Sequence, residues 1–224
     1  MQRTPTDIKI FRMEPLEGGM LRFAAGQFVF LHILDENGKT IVKRPYSIAS
    51  LPDASYLEFC IKMVGGELTS RLDKMGKGAV IGIDGPYGDF KYDEQPNAAF
   101  VAGGTGIAPF VSILRHVAQK KMKGRFLLFY SARTREAIAY REEFERLEKE
   151  NPNIKVVLTL TREEPAGWEG ECGRINEDMV CKYASSLTDF DWWICGPMPL
   201  IKNMRECLIK RGVDPKRIKV EGWG

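Results

Sequence analysis

The chain has 224 residues, room for two small domains or one large one, and its net charge of +3 with no lysine/arginine block excludes a general nucleic-acid binder. Its five cysteines (Cys60, Cys172, Cys181, Cys195 and Cys207) form no C-x-x-C pair, which speaks against zinc or iron–sulfur ligation and for reduced thiols in a cytoplasmic protein. Met1 to Arg12 lacks the apolar centre of a signal peptide, and no apolar run reaches the ~20 residues that span a bilayer, so no membrane span is expected.

The first half, to about residue 94, reads as short strands divided by turns. The strands fall at Asp7 to Met13, Gln27 to Leu34, Pro45 to Ser50, Tyr56 to Lys62 and Ala79 to Asp84. Leu57-Glu58-Phe59-Cys60-Ile61-Lys62 alternates apolar and polar residues, as a half-buried strand does. Gly18-Gly19, Glu36-Asn37-Gly38 and Gly85-Pro86-Tyr87-Gly88 supply turns, and Leu68 to Lys74 a short helix. A small antiparallel barrel accounts for this rhythm.

From about Asn97 the pattern becomes strand, glycine turn, helix, strand. Strands are expected at Ala98 to Ala102, Phe126 to Ser131, Lys155 to Leu160, Trp192 to Cys195 and Ile218 to Glu221. Helices are expected between them at Pro109 to Lys121, Tyr140 to Glu150, Asn176 to Tyr183 and Pro199 to Arg211. Such alternation implies a parallel sheet covered on both faces. The charges of Tyr140 to Glu150 read as a solvated helix face. A polar linker at Glu94 to Asn97 divides the chain into domains at residues 1–95 and 96–224.

Three segments carry chemistry. Gly103-Gly104-Thr105-Gly106 follows a strand and opens a helix, so the backbone can approach a diphosphate closely and offer it free N–H groups. It lacks the G-x-G-x-x-G spacing, which leaves a plain strand-to-helix turn as an equal reading of the motif alone. Arg44-Pro45-Tyr46-Ser47-Ile48-Ala49-Ser50 sets a phosphate-matching fork, a flat ring and a short hydroxyl along one strand. Tyr46 and Ser47 point to opposite sides of a regular strand, so one can cover a ring face while the other reaches its edge. Gly66-Glu67-Leu68-Thr69 begins the short helix, a second phosphate-compatible N-terminus.

These segments, with Cys195-Gly196-Pro197 and the ending Val220-Glu221-Gly222-Trp223, occur in the order and spacing of the ferredoxin–NADP reductase family, which the chain resembles over nearly its whole length. The wider group includes oxygenase reductases and flavin reductases. The resemblance implies a six-stranded antiparallel FAD-binding β-barrel followed by a five-stranded parallel α/β nucleotide-binding domain. It implies that Arg44 and Pro45 meet the flavin phosphate region, that Tyr46 packs on the isoalloxazine, and that Ser47 hydrogen-bonds near flavin N5. Gly66, Glu67, Leu68 and Thr69 would contact the pyrophosphate. Gly104, Thr105, Gly106, Cys195 and Gly196 would hold the nicotinamide nucleotide, with Cys195 near the hydride-donating carbon. Glu221 would stand close to the reacting centre and Trp223 would cover the flavin or stack on the nucleotide, one residue before the terminal Gly224. Ser47, Cys195 and Glu221 are thus the expected catalytic set.

Discrimination of NADPH from NADH needs cations near the adenosine ribose. Arg133, Arg162 and Arg174 lie just beyond the second strand, the third strand and the loop that follows, where loops of an open parallel sheet converge. They match the 2′-phosphate site of bacterial members of the resembled family and favour NADPH, with NADH also possible. The expected activity moves hydride between NADPH and bound FAD, and single electrons to or from a small redox protein such as ferredoxin, flavodoxin or an oxygenase component. The alternatives are an NAD(P)H-dependent flavin reductase and a flavin-binding electron-transfer subunit of a larger complex.

Overall fold

The computed structural model describes residues 2–3 and 7–223. Among these residues the N-terminal half holds six strands in two three-stranded antiparallel sheets. One pairs β1 (Gln2–Arg3), β2 (Ile8–Met13) and β5 (Leu57–Lys62); the other sets β3 (Phe28–Leu34) between β4 (Thr40–Ser47) and β6 (Gly82–Tyr87). The β3–β4 hairpin turns at Asp35, whose carboxylate accepts from the backbone N–H groups of Asn37 and Lys39 at 2.9 and 2.8 Å, and at Gly38, which takes φ 77°. Helix α1 (Glu67–Lys74) turns Leu68 and Leu72 into a core with Val29, Ile48, Phe59 and Ile61.

Two strands start or end away from their expected places. β4 begins at Thr40 instead of Pro45, and its Thr40, Ile41, Lys43 and Arg44 are exposed. An edge strand carries charge without penalty, so its polar start resembles a loop in sequence. β6 runs through Gly85-Pro86, read from sequence as a turn, until Tyr87 pairs with Phe28. It too is an edge strand, where proline is tolerated.

The C-terminal half is one parallel sheet, ordered β10-β9-β8-β7-β11-β12. Its five main strands are β7 (Asn97–Gly103), β8 (Arg125–Ala132), β9 (Ile154–Leu160), β11 (Asp191–Pro197) and β12 (Ile218–Trp223). A two-residue strand, β10 (Glu171–Cys172), extends the β9 edge. Helices α2 (Ala108–Gln119) and α3 (Arg141–Glu150) cover one face. Helices α4 (Glu177–Tyr183) and α5 (Met198–Lys210) cover the other. The strands are apolar on both sides because both faces are covered.

The core beneath α2 continues into the first half, taking in Ile8, Ala25, Ala49, Cys60, Phe90 and Tyr92. This contact changes the reading of β5. Glu58, placed by its alternation on an exposed face, is fully buried, because α2 packs over that face and supplies Arg115 as its partner. No helix among the described residues is long and apolar enough to cross a membrane.

Candidate active site

The chain continues from β7 to β8 on one side and returns to β11 on the other, so the strand order reverses between β7 and β11. In an open parallel sheet this is where the carboxyl-end loops part and a ligand crevice opens. Gly103 to Gly106 leaves the end of β7 and Cys195 to Pro197 the end of β11, so both motifs meet at that crevice. Contact between them is close. A Cβ built on Gly106 would lie 2.3 Å from the Cys195 carbonyl oxygen and 3.0 Å from the Gly196 nitrogen. One on Gly103 would lie 3.0 Å from Pro197 Cδ. Gly104 adopts φ 57° and a Cβ there would meet nothing within 4 Å, so its side-chain direction is open. The turn over Gly104–Ile107 has no side-chain cap, which leaves its first N–H groups without a capping side chain.

The first half brings β4 to the same crevice. Ser47 Oγ donates to Glu221 Oε2 at 3.2 Å, a bond between residues 174 apart in the chain. Glu221 on β12 is the register partner of Cys195 on β11, which in turn pairs with Ala102 on β7. Ser47, Cys195 and Glu221 are therefore brought together by two strand registers and one hydrogen bond. Burial raises the Glu221 carboxyl above its usual range, and the Ser47 hydroxyl partly offsets this by stabilising the ionised form. Burial pushes the Cys195 thiol well up, and the Glu221 carboxylate adds to it. A protonated, buried thiol can shape a pocket wall but is a poor nucleophile. Trp223 stands opposite Pro197 at the end of β12 and is 45% exposed. Gly224 lies outside the described residues.

On β4, Arg44 is exposed, and its guanidinium donates to the Lys43 carbonyl at 2.8 Å; no carboxylate neutralises it among the described residues. Tyr46 is half-buried and its phenol is raised by burial. Pro45 is exposed beside it. At α1, Gly66 is the N-cap and offers no side-chain capping bond. Leu68 and Thr69 are buried and Glu67 pairs with Arg71, so an anion at this terminus would meet backbone N–H groups, not side chains.

Arg133, Arg162 and Arg174 are all exposed and without a carboxylate partner among the described residues. They sit on neighbouring carboxyl ends. The Arg162 N–H donates to the Arg133 carbonyl at 3.0 Å, and the N–H of Gly173, just before Arg174, donates to Leu160 at 2.7 Å.

Other residues enter the site without a motif to announce them. Phe28 is the register partner of both Ser47 and Tyr87. Gly88 fits beneath it: a Cβ there would lie 3.0 Å from the Phe28 ring and 3.8 Å from Glu221 Oε1. Gln27 holds this corner, its side-chain amide donating to the Gly88 carbonyl at 3.2 Å. The only signal in sequence was the Gly85 to Gly88 turn, which gave no hint of its neighbour. Glu143, read as part of a solvated helix face, instead receives a two-pronged hydrogen bond from Arg115.

Residues 2–92 match the oxidoreductase FAD-binding domain family and residues 100–206 the oxidoreductase NAD-binding domain family. Ferredoxin–NADP reductase B of Sorangium cellulosum is 32% identical over 226 residues, covering 96% of this chain and 91% of the relative. The gamma subunit of sulfhydrogenase 2 from Pyrococcus furiosus is 31% identical, covering 94% and 76%. A solved ferredoxin NADP+ reductase from Neisseria gonorrhoeae, with bound FAD and NADP, superposes with a TM-score of 0.82 at 22% identity, covering 96% of this chain and 92% of that one. The chain also spans about half the length of other curated relatives that it matches. A barrel joined to a parallel sheet whose crevice receives a strand from each half defines a flavin- and nicotinamide-nucleotide-binding oxidoreductase fold. The chain belongs to the ferredoxin–NADP reductase family.

Proposed function

We propose that the chain transfers hydride between NADPH and a bound FAD and passes single electrons to or from a small redox protein. Residues 1–95 serve the flavin and residues 96–224 the nicotinamide nucleotide. The observation that carries this reading is the Ser47–Glu221 hydrogen bond beside Cys195, which joins the flavin strand to the nucleotide crevice.

The residues fit the two cofactors. Arg44 is a guanidinium without a carboxylate, Gly66 opens an uncapped helix, and Tyr46 offers a half-buried ring. Together they suit a flavin with a diphosphate. The uncapped turn at Gly104, with Thr105 and Gly106 behind it, suits a second diphosphate. FAD, held by these residues, would supply the redox chemistry of accepting hydride and releasing single electrons. The protein's part is placement. Ser47 would stand at the flavin edge with its hydroxyl donated to Glu221, Cys195 and Gly196 would form the nicotinamide wall, and Trp223 would close the outer side. Glu221 holds the Ser47 hydroxyl, and its raised carboxyl keeps a proton close to the reacting centre further up the pH scale than a surface carboxyl would.

NADPH is favoured by Arg133, Arg162 and Arg174, three exposed cations on adjoining strand ends, none of them in an ion pair among the described residues. The electron partner is of the kind named by relatives called ferredoxin–NADP reductase and oxygenase reductase component, and the five free cysteines suit a place in the cytoplasm. Ser47→Ala tests the catalytic arrangement: it should slow anaerobic flavin reduction by NADPH ~10-fold, the worth of one hydrogen bond of ~1.4 kcal/mol, while FAD remains bound. Reduction at the wild-type rate would refute it.

A further inference from the structure

Hydride transfer needs its reacting atoms ~3–3.5 Å apart and aligned. Here the two cofactor sites stand on different halves of the chain, so something must fix their approach. Helix α2 touches both. Its leading turn presses Gly106 against the backbone of Cys195 and Gly196. Further along, Ser112 Oγ donates to the Ser50 carbonyl at 2.7 Å, and Arg115 Nη1 donates to the Ala49 carbonyl at 2.8 Å. At ~1.5 Å per residue these contacts lie roughly 9 and 14 Å from Gly106. Ala49 and Ser50 directly continue the Arg44 to Ser47 strand, ~7–10 Å beyond Ser47 in extended chain.

The contacts are built firmly. Ser112 is fully buried. Arg115 grips Glu143 with Nε and Nη2 at 2.6 and 2.7 Å and meets Glu58 Oε1 at 2.8 Å, while Arg12 takes the other Glu58 oxygen at 2.7 Å. The Tyr140 ring lies over the guanidinium, 5.5 Å from its centroid. Burial works against the charge on Arg115, but the two carboxylates more than offset it, so the fork stays protonated and fully directed.

We propose that Ser112 and Arg115 are positioning residues, which hold the Ser50 and Ala49 carbonyls and so set the distance between the flavin-bearing strand and the nucleotide crevice. The inference rests on the function proposed above. Its test is Ser112→Ala and Arg115→Lys in FAD-loaded protein, mixed anaerobically with NADPH or its 4-deuterated form. Both variants should retain FAD and bind nucleotide within ~2-fold of wild type, yet reduce flavin at least ~10-fold more slowly, since a ~1 Å misplacement can cost 10²-fold. The deuterium isotope effect should mark hydride transfer as the slowed step. The long-wavelength charge-transfer absorbance of the flavin–nicotinamide complex should weaken, a stacking signature that lost stability alone would not change. Unchanged rate and unchanged charge-transfer band in the FAD-loaded fraction would overturn the proposal, even if the melting temperature fell. If Arg115→Lys does not fold, Ser112→Ala decides alone. A wild-type flavin that NADPH and NADH both leave oxidised would instead overturn the functional reading, and this inference with it.

Discussion

Replacing Gly106 with alanine tests whether the two crevice loops must meet as closely as the structure shows. The new Cβ would stand 2.3 Å from the Cys195 carbonyl oxygen, 2.7 Å from its carbon and 3.0 Å from the Gly196 nitrogen. Non-bonded carbon contacts are comfortable at ~3.5–4.0 Å, so the loops must separate by about 1 Å. All three obstructing atoms are backbone, anchored on both sides by the β7 and β12 ladders, so no side chain can swing aside. Overpacking of this kind costs ~1–3 kcal/mol of stability. A shift of that size in the nicotinamide wall should lower the rate of flavin reduction ~10²-fold. FAD should be retained, because its expected contacts at Arg44, Tyr46 and Gly66 lie in the other half. Anaerobic stopped-flow at the flavin absorbance band, with FAD content measured on the same sample, separates the two effects. Wild-type reduction by Gly106→Ala would refute the argument that this contact places the nicotinamide.

Arg162→Ala should raise the KM for NADPH ~10- to 150-fold, the effect of one charge-assisted phosphate bond of ~1.5–3 kcal/mol, and barely change that for NADH; equal effects would exclude a 2′-phosphate role. Glu58→Ala should destabilise the fold by ~1.5–3 kcal/mol, the worth of a hydrogen bond between charged groups, because Arg115 loses one of its two carboxylates and keeps Glu143. In a chain of this size that lowers Tm by roughly 3–12 °C, and an unchanged Tm would show that the pair is not buried in solution. Glu221 gives a pH-dependent outcome. Its native carboxyl is raised by burial, so the fold favours the protonated acid. The carboxyl's stabilising contribution is complete below the unfolded value of ~4.3 and is lost as pH rises through the raised native one. Glu221→Gln should therefore match wild type in Tm at the acid end and exceed it at pH ~8. A wild type that gained on the variant with rising pH would contradict that sign.

Much of the architecture was legible because it rests on local rules. The glycine turn after Ala102 and the strand–helix alternation are written within a few residues of where they act, and the parallel sheet follows from them. Cys195 and Glu221 could be placed through the resemblance, but that they face each other follows from the register of β11 and β12. Other features depend on packing between the halves, which leaves no local trace. Glu58 obeys the alternation of a surface strand, yet α2 covers it. Glu143 sits in a helix of ordinary surface composition, yet it anchors Arg115. Lys43 and Arg44 gave β4 the look of a loop because an edge strand can expose charge. Phe28 lies in a strand of mostly apolar residues with no motif around it, and only the ladder puts it opposite Ser47.

The central claim is that one flavin, held by the Arg44 to Ser50 strand, receives hydride from a nicotinamide at the Cys195 crevice. The absorbance spectrum of the desalted protein, before and after anaerobic NADPH, tests it most directly. The account predicts a retained flavin spectrum that bleaches on addition of NADPH. A colourless protein that takes up no FAD, or a bound flavin that NADPH and NADH both leave oxidised, would contradict it.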